Sequence, residues 1–232
     1  MQKIITKYSI FYLCLALWIL PKTTYSSEIS AQEQLYTQYE YFCRTPSDIQ
    51  GHIPVLRGLA AECSSVVEIG LRGMISTWGI LQGLSESMAS SRTYIGIDIA
   101  SPSLENLQLA KELATTNGIS FFFWKKNNLK VKISPVEMLF IDSLHTYCHL
   151  TYELEKFSPK ISKFIVMHDT SAPWGDADDT QYQGDYSEYP SFIDRSKRGL
   201  WAAVEDFLTR HPEWMLYERR FNHHGLTILK RI

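Results

Sequence analysis

Five short runs of strand-forming residues recur along this chain: SSVVEIG (64–70), RTYIGIDIA (92–100), ISFFFW (119–124), VEMLFIDS (136–143) and KFIVMHD (163–169). Segments with helical spacing lie between most of them. The runs are continuously apolar rather than alternating, which marks strands covered on both faces. Strands of that kind in alternation with helices dictate a parallel, doubly wound α/β sheet of Rossmann-like type. Two further runs, EWMLYERRF (213–221) and LTILKRI (226–232), flank a turn at Asn222 to Gly225. They read as an antiparallel hairpin, for about seven strands in all.

The first 26 residues stand apart. MQKIITK carries two lysines and no acid, YSIFYLCLALWIL is an uninterrupted apolar run, and PKTTYSS follows with a helix breaker and small residues. That layout predicts a signal peptide at 1–26, cleaved after Ser26, or else an uncleaved membrane anchor. The protein is then expected to be exported, or anchored and cytoplasm-facing, with membrane contact through this segment alone. Residues 28–46 predict a polar-faced helix, and Ser47 or Asp48 is placed to cap a second one running to about Ala61. Both helices are expected to pack on a domain spanning 62–232. A long polar stretch at 171–198 interrupts that domain, and loops of this length are usually lids or binding loops. With 45% hydrophobic residues, 21% charged residues and a net charge of −2, nothing suggests a coiled coil or a nucleic-acid binder. Outside the apolar leader, Cys43, Cys63 and Cys148 make neither a disulfide framework nor a zinc pattern; one Cys43–Cys63 bridge and three free thiols both stay open.

In sheets of this kind ligands bind beyond the carboxyl ends of the strands, where strand order reverses. The first strand ends in E-I-G-L-R-G, so Gly70 and Gly73 permit a tight turn and a close approach of backbone to ligand. The second ends in Asp98, a carboxylate placed to accept hydrogen bonds from ribose hydroxyls. Leu71 and Arg72 stand between the glycines, so the loop is neither a GxGxxG fingerprint nor a GK[ST] phosphate loop. A nucleoside ligand is therefore favoured over a pyrophosphate or triphosphate.

EIGLRGMISTWGILQGL, YIGIDIA, the Asn127–Asn128 pair, LFIDSLHTY and IVMHDT together resemble the class I S-adenosylmethionine-dependent methyltransferases. The likeness is to the branch of small-molecule O-methyltransferases and cephalosporin-hydroxylase-like proteins, and it covers about residues 47–232. The resemblance implies S-adenosylmethionine as cofactor. It implies that Glu68 and Gly70 line the methionine end, with Gly73 and Ser76 of the same loop and helix also on the cofactor. Asp98 would hold the ribose, Asn127 or Asn128 would face adenine, and Asp142 would sit where the sulfonium meets the acceptor.

Asp142 and Asp169 each end a strand. Neighbouring parallel strands lie about 4.8 Å apart, so the two carboxylates can converge on one point. Two like charges that close need a divalent cation, a shared proton or a nearby imidazolium. The metal-assisted members of the resembled family hold magnesium there. Here the second strand ends in His168-Asp169, and imidazole is a softer ligand than oxygen, so Mg²⁺, Mn²⁺ and Fe²⁺ all stay open for Asp142, His168 and Asp169. His145 is placed either to take the acceptor's proton or to cap the next helix. His149 is expected to pack or face solvent; Asp176, Asp178 and Asp179 to form a solvated acidic lid; Trp174, Tyr182, Tyr186 and Tyr189 to close over an acceptor; and His223-His224 to make a turn. The expected activity is methyl transfer to a hydroxyl of a small molecule or sugar. The alternatives are a secreted, non-catalytic binding module and a metal-dependent hydroxylase on the same scaffold.

Overall fold

The computed structural model describes residues 29–181 and 186–232, so the 1–26 segment and Tyr182 lie outside the described residues. Seven strands form one sheet: β1 (Ser65–Ile69), β2 (Arg92–Asp98), β3 (Ile119–Lys125), β4 (Val136–Ile141), β5 (Ile161–His168), β6 (Trp214–Arg220) and β7 (Leu226–Arg231). Among the described residues six α-helices accompany them: α1 (Ala31–Arg44), α2 (Ile53–Ala61), α3 (Ile75–Glu86), α4 (Leu104–Thr116), α5 (Tyr147–Phe157) and α6 (Leu200–Arg210). The spatial order is β3-β2-β1-β4-β5-β7-β6. β1 to β5 pair in parallel, and β7 runs antiparallel between β5 and β6. The expected mixed sheet is present, with β6 rather than β7 at the edge.

The two faces of the sheet are packed separately, as alternation along a strand requires. Val66, Tyr94, Met138, Phe140 and Val166 join Leu35, Leu56, Trp78 and Leu113 from α1 to α4. Val67, Ile97, Leu139, Ile141 and Met167 join Leu150, Leu154, Val204 and Phe207 from α5 and α6. Each fully buried side chain of this size contributes about 1.5–3 kcal/mol, so the layers hold the strand tips in fixed register. On α4 the buried face is Ala110, Leu113 and Ala114, while Leu104 is 73% exposed at the first turn.

The N-terminal helices pack on the same core through Leu35 and Leu56. α1 opens on a capping box, with Ser30 Oγ accepting from the Glu33 amide and the Glu33 carboxylate accepting from the Ser30 amide. The second helix differs from expectation. It begins at Ile53, after a 3-10 turn at Gln50–His52 and with Pro54 in its first turn, and neither Ser47 nor Asp48 caps it. Proline is at home in a first helical turn, where no donor is needed, and Asp48 binds Arg72 instead. Cys43, Cys63 and Cys148 are free thiols. Among the described residues no helix is long and apolar enough to cross a membrane.

Candidate functional site

Strand order reverses between β1 and β4, and a cavity of about 550 Å³ opens beyond their carboxyl ends. Its size suits a nucleoside-bearing ligand. Gly70, Asp98, Asn127, Asn128 and Asp142 line it, together with Arg72, Ile99, Leu144, His149 and Tyr189. Gly70 has φ 84°, and a Cβ there would lie 1.8 Å from the Asp142 carbonyl oxygen. Only glycine lets the β1 loop pass so close to the tip of β4.

Asp98 ends β2 and is held by backbone amides. Its Oδ2 accepts from Leu71 at 2.8 Å and Arg72 at 3.2 Å, and its Oδ1 accepts from Ala100 at 2.8 Å. A carboxylate takes about four donors, so one direction on Oδ1 stays available toward the cavity. The loop after β1 and the carboxylate after β2 are thereby one unit.

Glu68, Gly73 and Ser76, expected on the cofactor, are not among the residues lining the cavity. The period of two along β1 explains Glu68. It shares the face of Val66, turned toward α3, where it is fully buried. Its carboxylate accepts from Thr77 Oγ1 at 2.8 Å and from the hydroxyls of Ser76 and Tyr94. Burial outweighs these three hydrogen bonds and pushes its carboxyl up to about 7. Ser76 is consumed by this contact. Glu68 and Ser76 thus join β1 to α3 from behind the loop.

Asn127 and Asn128 follow β3. Asn127 is exposed and its Oδ1 accepts from the Leu129 amide. Asn128 is buried, with Nδ2 donating to Glu153 Oε1 and 3.2 Å from His149 Nε2. His149, in turn, has Nδ1 3.0 Å from Tyr189 OH. So His149 packs, as expected, but against the cavity. Nothing in its local spacing pointed there; α5 carries it to the cavity wall.

The β4–β5 end is built differently. Asp142 and Asp169 do converge. His145 Nε2 lies 2.9 Å from Asp169 Oδ2 and 3.6 Å from Asp142 Oδ1, and His168 Nδ1 lies 3.3 Å and 3.8 Å from the same two atoms. His224 Nδ1 approaches Asp169 Oδ1 at 3.2 Å. Asp169 takes φ 60°, a left-handed conformation that aspartate tolerates better than most residues. His145 is not the cap of α5; Thr146 is, accepting from the His149 amide. The His145 ring instead stacks on Trp174 at 5.6 Å.

Charge governs this cluster. Burial disfavours the carboxylate of Asp142, but the neighbouring His145 and His168 imidazoles outweigh it and hold the carboxyl below its ordinary value. Asp169 is depressed much further by the same balance. Burial likewise opposes the cations, yet the two carboxylates raise His145 to about 9 and His168 to about 10.

His168 Nε2 is 3.0 Å from the His223 carbonyl oxygen, so that nitrogen carries the proton. Its Nδ1 is buried, faces the two carboxylates and has no well-formed hydrogen bond. A bare lone pair against two negative groups is unfavourable, and either a proton on Nδ1 or a cation between the donors relieves it. One atom each from Asp142, His168 and Asp169 lie within 4.8 Å of one another. Two carboxylate oxygens and one imidazole nitrogen fit a divalent cation, and the nitrogen favours Mn²⁺ or Fe²⁺ over Mg²⁺.

The polar loop does not form a solvated acidic lid at Asp178. Asp178 Oδ1 accepts from the amides of Tyr147 at 2.8 Å and Gly199 at 2.9 Å, and Oδ2 from Tyr186 OH at 3.1 Å. It ties the loop to the starts of α5 and α6. None of Asp176, Asp178 and Asp179 belongs to the group of side chains that could hold a cation. Trp174 and Tyr189 reach the site, at His145 and the cavity wall respectively.

No protein-family model matches this sequence, and no curated protein matches it. Solved structures match by fold. A protein from Corynebacterium glutamicum aligns over 89% of this chain and 92% of its own, at 19% identity and TM-score 0.54. An O-methyltransferase from Bacillus cereus in complex with SAH covers 90% of this chain and 94% of its own, at 14% identity and TM-score 0.50. A methyltransferase from Geobacter sulfurreducens covers 85% and 89%, at 12% identity and TM-score 0.50. The resemblance read from the sequence therefore holds at the level of architecture: this chain has the Rossmann-like fold shared with these methyltransferases.

Proposed function

We propose that this chain is an S-adenosylmethionine-dependent methyltransferase that modifies a hydroxyl of a small molecule or sugar, with a divalent cation held by Asp142, His168 and Asp169. The observation that carries the reading is the continuity of the site. One cavity runs from Asp98 and the Gly70 loop to Asp142, where the acidic pair and His145 begin. The cofactor, when bound, would supply an activated methyl group, and a cation held by the acidic pair and His168 would supply positive charge to the site.

The chain's own residues then have separate work. Asp98, braced by three amides, presents its remaining acceptor direction to the ribose. Asn127 and Asn128 bound the far end, where a base would lie. Asp142 orients the incoming hydroxyl at the near end. His145 takes its proton, a role open to it only once the charge of Asp142 and Asp169 is met by something other than His145 itself, because those carboxylates otherwise keep it protonated. Trp174 stacked on His145 keeps the imidazole in the cleft. Fold neighbours lend no support to the binding-module or hydroxylase alternatives.

Calorimetry of the full chain with S-adenosylmethionine and S-adenosylhomocysteine tests the reading. Saturable binding of both is expected, and no heat at millimolar ligand defeats it.

A further inference from the structure

The turn between β6 and β7 carries an unusual backbone. His223, His224 and Gly225 follow one another with φ of 47°, 61° and 95°. For the two histidines this conformation is unfavourable, because Cβ crowds the following carbonyl. It persists only where the surroundings hold it. Three successive carbonyls are held. Asn222 O lies 3.0 Å from His52 Nε2, His223 O lies 3.0 Å from His168 Nε2, and His224 O accepts from the Ser171 amide at 2.7 Å. His168 and Ser171 flank Asp169 at the end of β5. His52 comes from the 3-10 turn before α2, 170 residues from Asn222.

His52 is fully buried. Since a carbonyl has no proton to give, Nε2 must carry one, and the neutral ring's Nδ1 is left bare. That Nδ1 is buried without a hydrogen-bond partner. An orphaned polar atom is a burden that a phenyl ring of similar shape would avoid. What the imidazole does here, and a phenyl cannot, is grip Asn222 O. The ring also sits edge-on to His168 and His223, at 5.5 and 5.6 Å. At the neighbouring Gly51 a Cβ would come within 2.5 Å of the His223 ring, which would have to shift to admit it. The N-terminal turn is thus fitted closely against the last turn of the chain.

We propose that His52 is a positioning residue for the acidic pair: by gripping Asn222 O it fixes the turn that sets His224 against Asp169 and anchors His168 through His223 O. Its action on Asp169 runs through those two imidazoles, and it touches neither carboxylate. The inference needs no cofactor, cation or acceptor, so it stands or falls apart from the methyltransferase reading.

The test is the ¹⁵N spectrum of the histidine rings in the full chain labelled with ¹⁵N-histidine. These shifts follow tautomer and hydrogen bonding. His52→Phe keeps a ring of similar size and removes the donor. The His168 and His224 nitrogens are expected to shift, while those of His211, bonded to Glu155 and Glu213, stay in place. His52→Gln returns an N–H donor and is expected to bring the His168 and His224 signals back. Unmoved signals in His52→Phe overturn the proposal. So do shifts that His52→Gln fails to reverse, because ring volume alone would then be what matters. Should His52→Phe not fold, His52→Gln decides, with unchanged signals supporting the proposal and displaced ones refuting it. Gly51→Ala, which pushes on His223 and spares His52, is then expected to displace His224, and its failure to do so also counts against the proposal.

Discussion

The two ends of the cavity are held in place by different means. At the β1–β2 end the decisive groups are backbone: amides of Leu71, Arg72 and Ala100 hold Asp98, and Gly70 exists to let main chain pass main chain. At the β4–β5 end the decisive groups are side chains: two carboxylates and three imidazoles orient one another. The first end is a rigid cradle suited to a ligand of constant shape. The second is an electrostatic cluster, which under the proposed function would respond to cations and protons. Variants that damage one end and spare the other are the way to probe this contrast.

The largest effect is expected where the two ends meet. Gly70→Ala places a methyl group onto the Asp142 carbonyl and forces an L-residue to φ 84°. A loss of about 3 kcal/mol or more in urea unfolding is expected, with both ligand and cation binding lost. A variant of near-normal stability would show that the ends are not joined through this contact. Next, Asp169→Asn should weaken Mn²⁺ binding, read by calorimetry, more than about 100-fold while leaving S-adenosylhomocysteine within about threefold. Equal damage to both ligands would erase the distinction. Asp98→Ala should do the reverse, weakening S-adenosylhomocysteine about 10- to 100-fold and sparing Mn²⁺.

The smallest effect concerns the scaffold behind the cradle. Glu68 has an ordinary carboxyl value of 4.5 and is pushed up to about 7 by burial when folded. A raised folded value means that the native state holds the proton more tightly than the unfolded chain. Its stabilising contribution is then complete below about 4.5 and is lost as pH rises through 7. Between pH 6 and 7 the loss is about 1 kcal/mol. Glu68→Gln should flatten that part of the stability–pH profile, measured by denaturant titration at each pH. An unchanged slope would assign it to other groups.

The strands are legible in the sequence because their apolar runs are long and bounded by breakers, and the cavity end of the sheet follows from the α/β alternation. Asp98, Asp142 and Asp169 were legible for the same reason: a charge at the tip of a buried strand has nowhere else to point. The burial of Glu68 against α3 is not legible locally, because one step along a strand reverses the face, and a motif does not display which face α3 will cover. The anchoring of Asp178 is not legible locally because its donors come from Tyr147 and Gly199, 31 and 21 residues away, and from Tyr186 further along its own loop. The capping position of Ser47 and Asp48 was overruled by Pro54 and by the pull of Arg72.

What the linear chain settled on its own was the α/β alternation, the strand tips and the pairing of carboxylate with imidazole at two of them. Those features rest on local hydrophobic period and on the cost of burying charge, which neighbouring residues reveal. Tertiary structure alone decided that His52, His168, Ser171 and the Asn222–Gly225 turn form one assembly, that Asp98 belongs to the Gly70 loop, and that Glu68 faces away. Each of these depends on hydrogen bonds between segments far apart in sequence, and such bonds exist only once the sheet has brought the strand ends together.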